Sequence, residues 1–408
     1  MKKATAEKSP NRPFQKLESV AKSSLEANIV RTTQSSNDGP YLAAGSHQFG
    51  SLWTRDFCLA SRGLLAIDRS DVVRHHLTHL LRERRNDGLI ARVLESVPSW
   101  KRVVAHTALR FLPDSLKKFP MTGNLKAEYL GEHGTISIDS NALVLRTAAD
   151  LQQREPNSKW REENHVALQE VLNFCLERTE QGTQLVSQGR FEDWQDSVAR
   201  EGETLFVNAL FAEAFEAAAI LGLSLPPEAS LFGDKLAKAF FNHDSGVFFS
   251  HAELELVSLD GNLLMLNELA LRKTLTDPTQ LYARLKRHAI WHRAEIPGSA
   301  STPDYPTDWI SWTTKAVGLR HYHDRLVWSW LSALAAKAAV LNDDTLEADR
   351  IFTKLTEMVL RDGAVAEVYS PTAGLPPVRT PLYISEMPFS WGAGCILEAL
   401  EARANLRN

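Results

Sequence analysis

Apolar residues recur at intervals of three and four in one segment after another of this chain, and the segments follow one another about every 30 residues. The pattern runs through RDFCLASRGLLAI, DVVRHHLTHLLRER, DSNALVLRTAADLQQR, NHVALQEVLNFCLERT, TLFVNALFAEAFEAAAIL, SLFGDKLAKAFF, LYARLKRHAIW, DRLVWSWLSALAAKAAVL, LEADRIFTKLTEMVLR and WGAGCILEALEARANL. Two further segments, GNLLMLNELALRK and WISWTTKAVGL, bring the number to twelve. That spacing belongs to helical hairpins stacked side by side, not to βαβ units. The strand-like pieces GTISI (134 to 138) and GVFFS (246 to 250) are too few for a sheet-based core and are expected as loop β-ribbons.

Six hairpins can form an open solenoid or close into a double ring, the (α/α)6 barrel. Segments 205 to 220 and 328 to 341 are apolar almost all round, as an inner layer buried on both sides requires. This favours closure. The expected fold is therefore all-α, an (α/α)6 toroid with short loop β-ribbons, with residues 39 to 408 as one catalytic domain. Residues 1 to 38 are polar and are expected as a partly mobile N-terminal arm carrying one short helix near KLESVAKSSLEANIV.

A net charge of -4 provides no global basic field, so no nucleic-acid partner is expected. The arginines of LLRERRND sit at a helix end, where cations meet the helix dipole. Cys58, Cys175 and Cys395 lie far apart in apolar stretches and suit buried thiols in a reducing compartment. The start has no apolar core of a signal peptide, and no window approaches a membrane span, so a cytoplasmic chain without membrane contact is expected.

Aromatic and acidic residues concentrate just ahead of helix starts, in SLWTRDF, ISIDS, RFEDWQDS, TDWISW, HYHDRLVWSW and YISEMPFSW. In a ring whose inner helices run the same way these segments meet at one mouth. A cleft of aromatic faces and carboxylates suits a small carbohydrate. Cleaving a glycosidic bond needs two carboxyl groups there, one protonated and one ionised. Asp56, Asp139, Asp193, Asp196, Glu367 and Glu386 all qualify by position. Each also has a plainer reading: Asp139 as a helix N-cap, Asp56 as a first-turn ion pair with Arg55, Asp193 and Asp196 as loop acids, Glu367 as a loop acid beyond a helix end at Gly363. His323 would then be a buried histidine.

Taken together, SLWTRDF, ISIDSNALVLRTAADL and FEDWQDSVAREGETLFVNALFAEAF resemble, in order, segments of neutral/alkaline invertases. HYHDRLVWSWLSALA and YISEMPFSWGAGCILEAL resemble the amylo-α-1,6-glucosidase part of glycogen-debranching enzymes. Both groups are six-hairpin (α/α)6 glycosidases. The resemblance implies Asp139 as general acid and Glu367, in AEVYSPTAG, as the base of an inverting reaction. It implies sugar contacts from Trp53, Arg55 and Asp56, from the loop of Asp193, Trp194 and Asp196, and from His323, Trp328, Tyr369, Glu386 and Trp391. The chain departs from the invertase pattern at Val365 and Ala366, where Trp-Pro usually precedes the Glu-x-Tyr, and at Val144, where a Trp is usual.

The expected activity is inverting hydrolysis of a small α-glucoside or a sucrose-like disaccharide, with no metal or organic cofactor. The alternatives are an inverting glycoside phosphorylase, for which Arg379 and His321 are possible phosphate contacts, and a catalytically inactive sugar-binding barrel. NDDTLEADR (342 to 350) reads as a turn with a helix cap and not as an acidic metal motif. The cysteines lack zinc-ligand spacing.

Overall fold

A computed structural model describes residues 14–31, 39–97, 101, 124–251 and 254–406. Twelve helices of nine residues or more organise the described residues. In chain order they are α1 Gln15–Ala27, α2 Thr54–Ala66, α3 Ser70–Arg82, α4 Asp139–Arg154, α5 His165–Arg178 and α6 Leu205–Ile220. Then follow α7 Phe232–Phe240, α8 Leu259–Asn267, α9 Pro278–Arg287, α10 Ser329–Leu341, α11 Thr345–Asp362 and α12 Ser390–Asn405.

Parity separates two layers. Each even-numbered helix packs on the next even one, α2 on α4, α4 on α6, α6 on α8, α8 on α10, α10 on α12, and α12 again on α2. The inner layer is thus a closed ring of six. Odd helices form the jacket: α3 lies on α2 and α4, α5 on α4 and α6, α7 on α6, α9 on α8, α11 on α10, and α1 on α11 and α12. The result is an α/α toroid. Sequence explains the layers: α6 and α10 are buried nearly all round, whereas α11 buries one stripe of Ala348, Ile351, Phe352, Leu355, Met358 and Val359. The NDDTLEADR segment behaves as expected, with the Asp344 carboxylate capping α11 through Glu347 N, and Gly363 ends that helix at φ 75°.

Three expectations change. WISWTTKAVGL forms only the short helix Trp312–Ala316; the twelfth helix of the toroid is α1, expected as a short helix of an N-terminal arm. Its Leu17, Ala21 and Leu25 are fully buried, and Asn28 just beyond it donates to Ser390 Oγ at 2.9 Å. The rest of that expected arm, residues 1–13 and 32–38, lies outside the described residues. GTISI forms no strand, because a turn at Gly131 to Gly134 uses its first residues and Ile138 N donates instead to Glu192 O. GVFFS does pair: Val247–His251 is an inner strand of a four-stranded antiparallel sheet with Phe241–Asn242, Leu254–Ser258 and Ser301–Thr302.

The ring closes where α2 meets α12 with almost no side chain between them: a Cβ added to Gly63 would lie 2.4 Å from Gly394 Cα. Below this joint, all six inner helices feed one ionic cluster. Arg62 of α2 reaches Asp150 of α4 at 2.8 Å, Glu268 just after α8 at 2.7 Å and Glu398 of α12 at 3.2 Å. Lys337 of α10 lies 2.6 Å from Glu398, and Arg146 of α4 lies 3.4 Å from Glu213 of α6. Burial and the neighbouring Glu268 push the Glu213 carboxyl well above the carboxylate range. Although burial opposes it, Arg62, Lys337 and Arg146 hold Glu268 well below that range. Because Arg62, Asp150, Glu213, Lys337 and Glu398 all lie past the midpoints of their helices, the inner helices run the same way. Their N-termini therefore gather at the other end. Among the described residues no helix is long and apolar enough to cross a membrane.

Candidate active site

The ring's N-terminal mouth brings together most of the residues singled out from sequence. Asp139 is the first residue of α4, and its side chain does not cap the helix. Instead Arg55, from the first turn of α2, donates through Nε to Asp139 Oδ2 at 2.7 Å and through Nη2 to Oδ1 at 3.0 Å. Ser137 Oγ donates to Oδ1 at 3.1 Å and accepts from Arg55 Nη2 at 2.6 Å. The capping reading of Asp139 therefore gives way to a buried, bidentate ion pair. Burial raises the Asp139 carboxyl above its ordinary value, with Arg55 pulling the other way.

Asp196 adjoins this pair, 3.7 Å from Arg55 Nη1, and accepts from Arg92 Nη2 at 3.1 Å. The Arg92 guanidinium in turn lies 4.5 Å over the Trp53 ring. Asp56 is half-buried beside Arg55; loss of hydration pushes its carboxyl up to about 7 against Arg55 and Arg92. Asp193 and Trp194, from the same FEDWQD segment, turn inward. Asp193 accepts from Gln195 N at 2.8 Å, Gln188 Nε2 at 3.0 Å and Arg200. Trp194 donates to Asp260 at 2.6 Å and stands edge-on to His323, Trp328, Trp330 and Trp391 at 5.0–5.8 Å. These two residues build the floor of the mouth.

Glu367 lies opposite. It precedes the strand Val368–Tyr369, which pairs with Val327–Trp328 at the start of α10, and α10 is three places around the ring from α4. The two carboxyls thus sit at the N-terminal ends of facing inner helices. Tyr322 Oη donates to Glu367 Oε1, and Tyr383 Oη donates to Oε2 at 2.6 Å. Burial pushes the Glu367 carboxyl up to about 8; the tyrosines oppose this and Glu386 adds to it.

Of the other expected contacts, Trp328 stacks on His323 at 5.3 Å and Trp391 on Trp330 at 4.5 Å. His323 is buried and held well below its ordinary pKa, hence neutral. Two residues are absorbed by the scaffold. Tyr369 Oη accepts from Ala366 N at 3.1 Å. Glu386 is wrapped by the 45–49 loop, accepting from Ser46 N at 2.8 Å, His47 N at 2.7 Å and Phe49 N at 3.2 Å. Sequence reasoning missed Tyr322, Tyr383, Arg92 and Ser137. Tyr322 and Tyr383 lie inside the flagged segments HYHD and YISEM, while nothing marked Arg92.

Among the described residues, Asp304, His321 and Asp324 are one group near enough to share an ion. Asp304 already accepts from Arg293 and Arg325, and Arg320 lies 3.6 Å from Asp324. That charge is neutralised by arginine, which does not fit a divalent cation. His321 is 3.2 Å from Asp324 and so is engaged with a carboxylate.

No family model and no curated sequence matches the chain. Solved structures do. A protein described as a wild-type glycosidase superposes with a TM-score of 0.64 at 14% identity, covering 96% of this chain and 98% of its own. A GH63 mannosylglycerate hydrolase from Thermus thermophilus, in complex with glucose, gives a TM-score of 0.60 at 14% identity over 94% of this chain and 99% of its own. The same enzyme with Tris and D-glycerate gives 0.59 at 15% identity. At these identities the likeness is one of fold, and it extends along nearly the whole of each chain.

Proposed function

We propose that the chain is an inverting glycoside hydrolase on an (α/α)6 barrel, acting on a small α-glucoside or sucrose-like disaccharide, with Asp139 as general acid and Glu367 as general base. The observation that carries this is the pair of buried carboxyls at the N-termini of facing inner helices, in a mouth bordered by Trp53 and floored by Trp194, Trp328 and Trp391. Solved glycosidases of the same fold, one with glucose bound, support the substrate class. In the reaction a water oxygen bonds to the anomeric carbon and gives its proton to Glu367. The bond to the leaving oxygen breaks as that oxygen takes the Asp139 proton. Trp53, Arg55, Asp56 and Asp196 border the sugar on the acid side. Asp193, Trp194, His323, Trp328 and Trp391 support it from below; Tyr369 and Glu386 hold the base loop. The mechanism calls for no metal or organic cofactor. The likeness to invertases and debranching enzymes marks the superfamily, and the altered Val365, Ala366 and Val144 positions leave the leaving group to experiment. The catalytic domain comprises residues 39–408 together with α1, which completes its jacket. The buried, free thiols of Cys58, Cys175 and Cys395 suit a cytoplasmic setting.

One observation favours a second reading with the two roles exchanged. Arg55 grips Asp139 as it would an ionised carboxylate, while Glu367 stays protonated up to about pH 8. Glycosyl fluorides separate the readings, because fluoride leaves without a proton from the enzyme. Asp139→Asn should lose the natural substrate by about 10²–10⁴-fold yet keep the fluoride, and Glu367→Gln should lose both. The opposite pattern exchanges the roles, and full activity in either variant sinks the assignment. The substrate emerges from a screen of sucrose, trehalose, maltose, isomaltose, mannosylglycerate, glucosyl-glycerol and glucosyl-glycerate with and without phosphate. Phosphate-dependent release of a sugar phosphate would make the enzyme a phosphorylase; binding without turnover would make it a sugar-binding barrel.

A further inference from the structure

Each oxygen of the Glu367 carboxylate has its own phenol. Tyr322 takes Oε1 and Tyr383 takes Oε2, the latter at 2.6 Å, and Glu386 N stands 3.4 Å from Oε2. The two tyrosines reach Glu367 from different parts of the chain. Tyr322 comes from the turn ahead of α10; its ring stands edge-on to Trp328 at 4.8 Å and to Tyr383 at 5.8 Å. Tyr383 sits between Leu382 and Ile384, which are 46% and 47% exposed, and alternation along the loop sends it alone inward. Its backbone is fixed twice by Thr380, whose N donates to Tyr383 O at 2.8 Å and whose Oγ1 accepts from Tyr383 N at 3.0 Å. Thr380 Oγ1 also donates to Val317 O at 2.6 Å, tying the loop to the neighbouring wall.

From this geometry we propose that Tyr322 and Tyr383 form a two-phenol clamp that positions the Glu367 carboxylate and favours its ionised form, a role that rests on reading Glu367 as the base. Hydrogen bonds donated to a carboxylate stabilise its charge. Oε2 already accepts from Tyr383 and from Glu386 N, whereas Oε1 accepts from Tyr322 alone and keeps a lone pair for a proton from water. The Glu386 backbone N–H adds a longer bond to Oε2 at 3.4 Å, and the side chains around the clamp do not supply this help. Glu386 is a like charge, although its oxygens are taken by the 45–49 loop and its ring partner is His47 at 3.2 Å. His323, against the Tyr322 ring at 4.9 Å, is neutral. Both phenols are themselves pushed well above their ordinary range by burial and by Glu367, so they remain neutral donors.

The test titrates Glu367 directly. The carboxyl stretch of protonated Glu367 is isolated in infrared difference spectra against Glu367→Gln and followed from about pH 5 to about pH 10 in wild type, Tyr383→Phe and Tyr322→Phe. Each phenylalanine should move the midpoint up by about one pH unit. On whichever substrate is turned over, kcat at neutral pH should fall about tenfold and recover as pH is raised, with KM little changed. Circular dichroism and thermal unfolding establish that the variants fold, and Leu382→Ser on the same loop serves as a neighbour that should leave the midpoint where it is. A midpoint unmoved in both folded phenylalanine variants overturns the clamp. Activity surviving in Glu367→Gln overturns the base assignment instead, and the two results are read independently.

Discussion

Replacing Arg62 by Met tests whether the ring is held shut by one shared set of charges. Arg62 is the hub of the cluster, with Asp150, Glu268 and Glu398 within 2.7–3.2 Å. Methionine keeps the unbranched stem and removes the guanidinium, leaving three mostly buried carboxylates to share Lys337 and Arg146. Removing one partner of a buried ion pair costs about 3–5 kcal/mol, because the charge left behind is uncompensated. With an unfolding entropy of about 2 cal/mol/K per residue, a chain of 408 residues should lose roughly 4–6 °C in Tm. The pH dependence has a definite sign. Glu268 is depressed in the folded protein, so the stability it contributes is present above its unfolded pKa of about 4.3 and is lost as pH falls through the folded value. In the variant that depression is relaxed. The gap between wild type and Arg62→Met should be widest near neutrality and narrow below about pH 4. Scanning calorimetry at both pH values measures it. Equal Tm values at neutral pH, or a gap that persists in acid, would refute the idea of a shared ionic closure.

Glu367→Gln should lose activity and gain stability in alkali. The native carboxyl is raised to about 8, so the proton it retains favours the folded state in acid, and that advantage is lost between about pH 4.3 and about pH 8; denaturant titrations at about pH 4, about pH 6 and about pH 9 should show the variant gaining on wild type at each step. Under the base assignment the rate should climb as pH rises through about 8, a trend read from kcat/KM profiles. Proton NMR of the first-formed sugar should show the anomer opposite to the bond cleaved, and retention would exclude a base role for Glu367. Gly394→Ala should lower stability by about 1–3 kcal/mol, since the new Cβ would sit 2.4 Å from Ala60 Cα; an unchanged unfolding midpoint would mean that the joint between α2 and α12 has slack.

Helical periodicity made the layers legible because burial on all sides leaves a recognisable mark, as in α6 and α10. It misjudged α1, whose stripe is only Leu17, Ala21 and Leu25 among serines and lysines; a narrow stripe suffices when the partners are α11 and α12. It overrated WISWTTKAVGL, where Trp312 is 73% exposed and the helix stops at Ala316. For the site, the aromatic and acidic segments ahead of helix starts do meet at one mouth. Their division of labour was not legible, because it depends on partners distant in sequence. Arg55 meets Asp139 from 84 residues away, and Tyr322 meets Glu367 from 45. No local spacing distinguishes a capping aspartate from a paired one, or an inward phenol from a surface one.

Closure of the ring by α12 also sets a timetable. Asn28 and Ser390, bonded at 2.9 Å, are 362 residues apart, and contacts of such separation are slow to form because the intervening chain must first lose much of its freedom. During synthesis five of the six inner helices can be laid down while the ring is still a crescent, with the Glu367 loop lacking the α12 segment that carries Tyr383 and Glu386 ahead of it. The mouth becomes a complete enclosure only when the sixth helix arrives. A chain interrupted before that point would hold both carboxyls proposed to react yet lack the wall that orients one of them, so catalytic competence should appear as a late and abrupt event in refolding, trailing the recovery of helix.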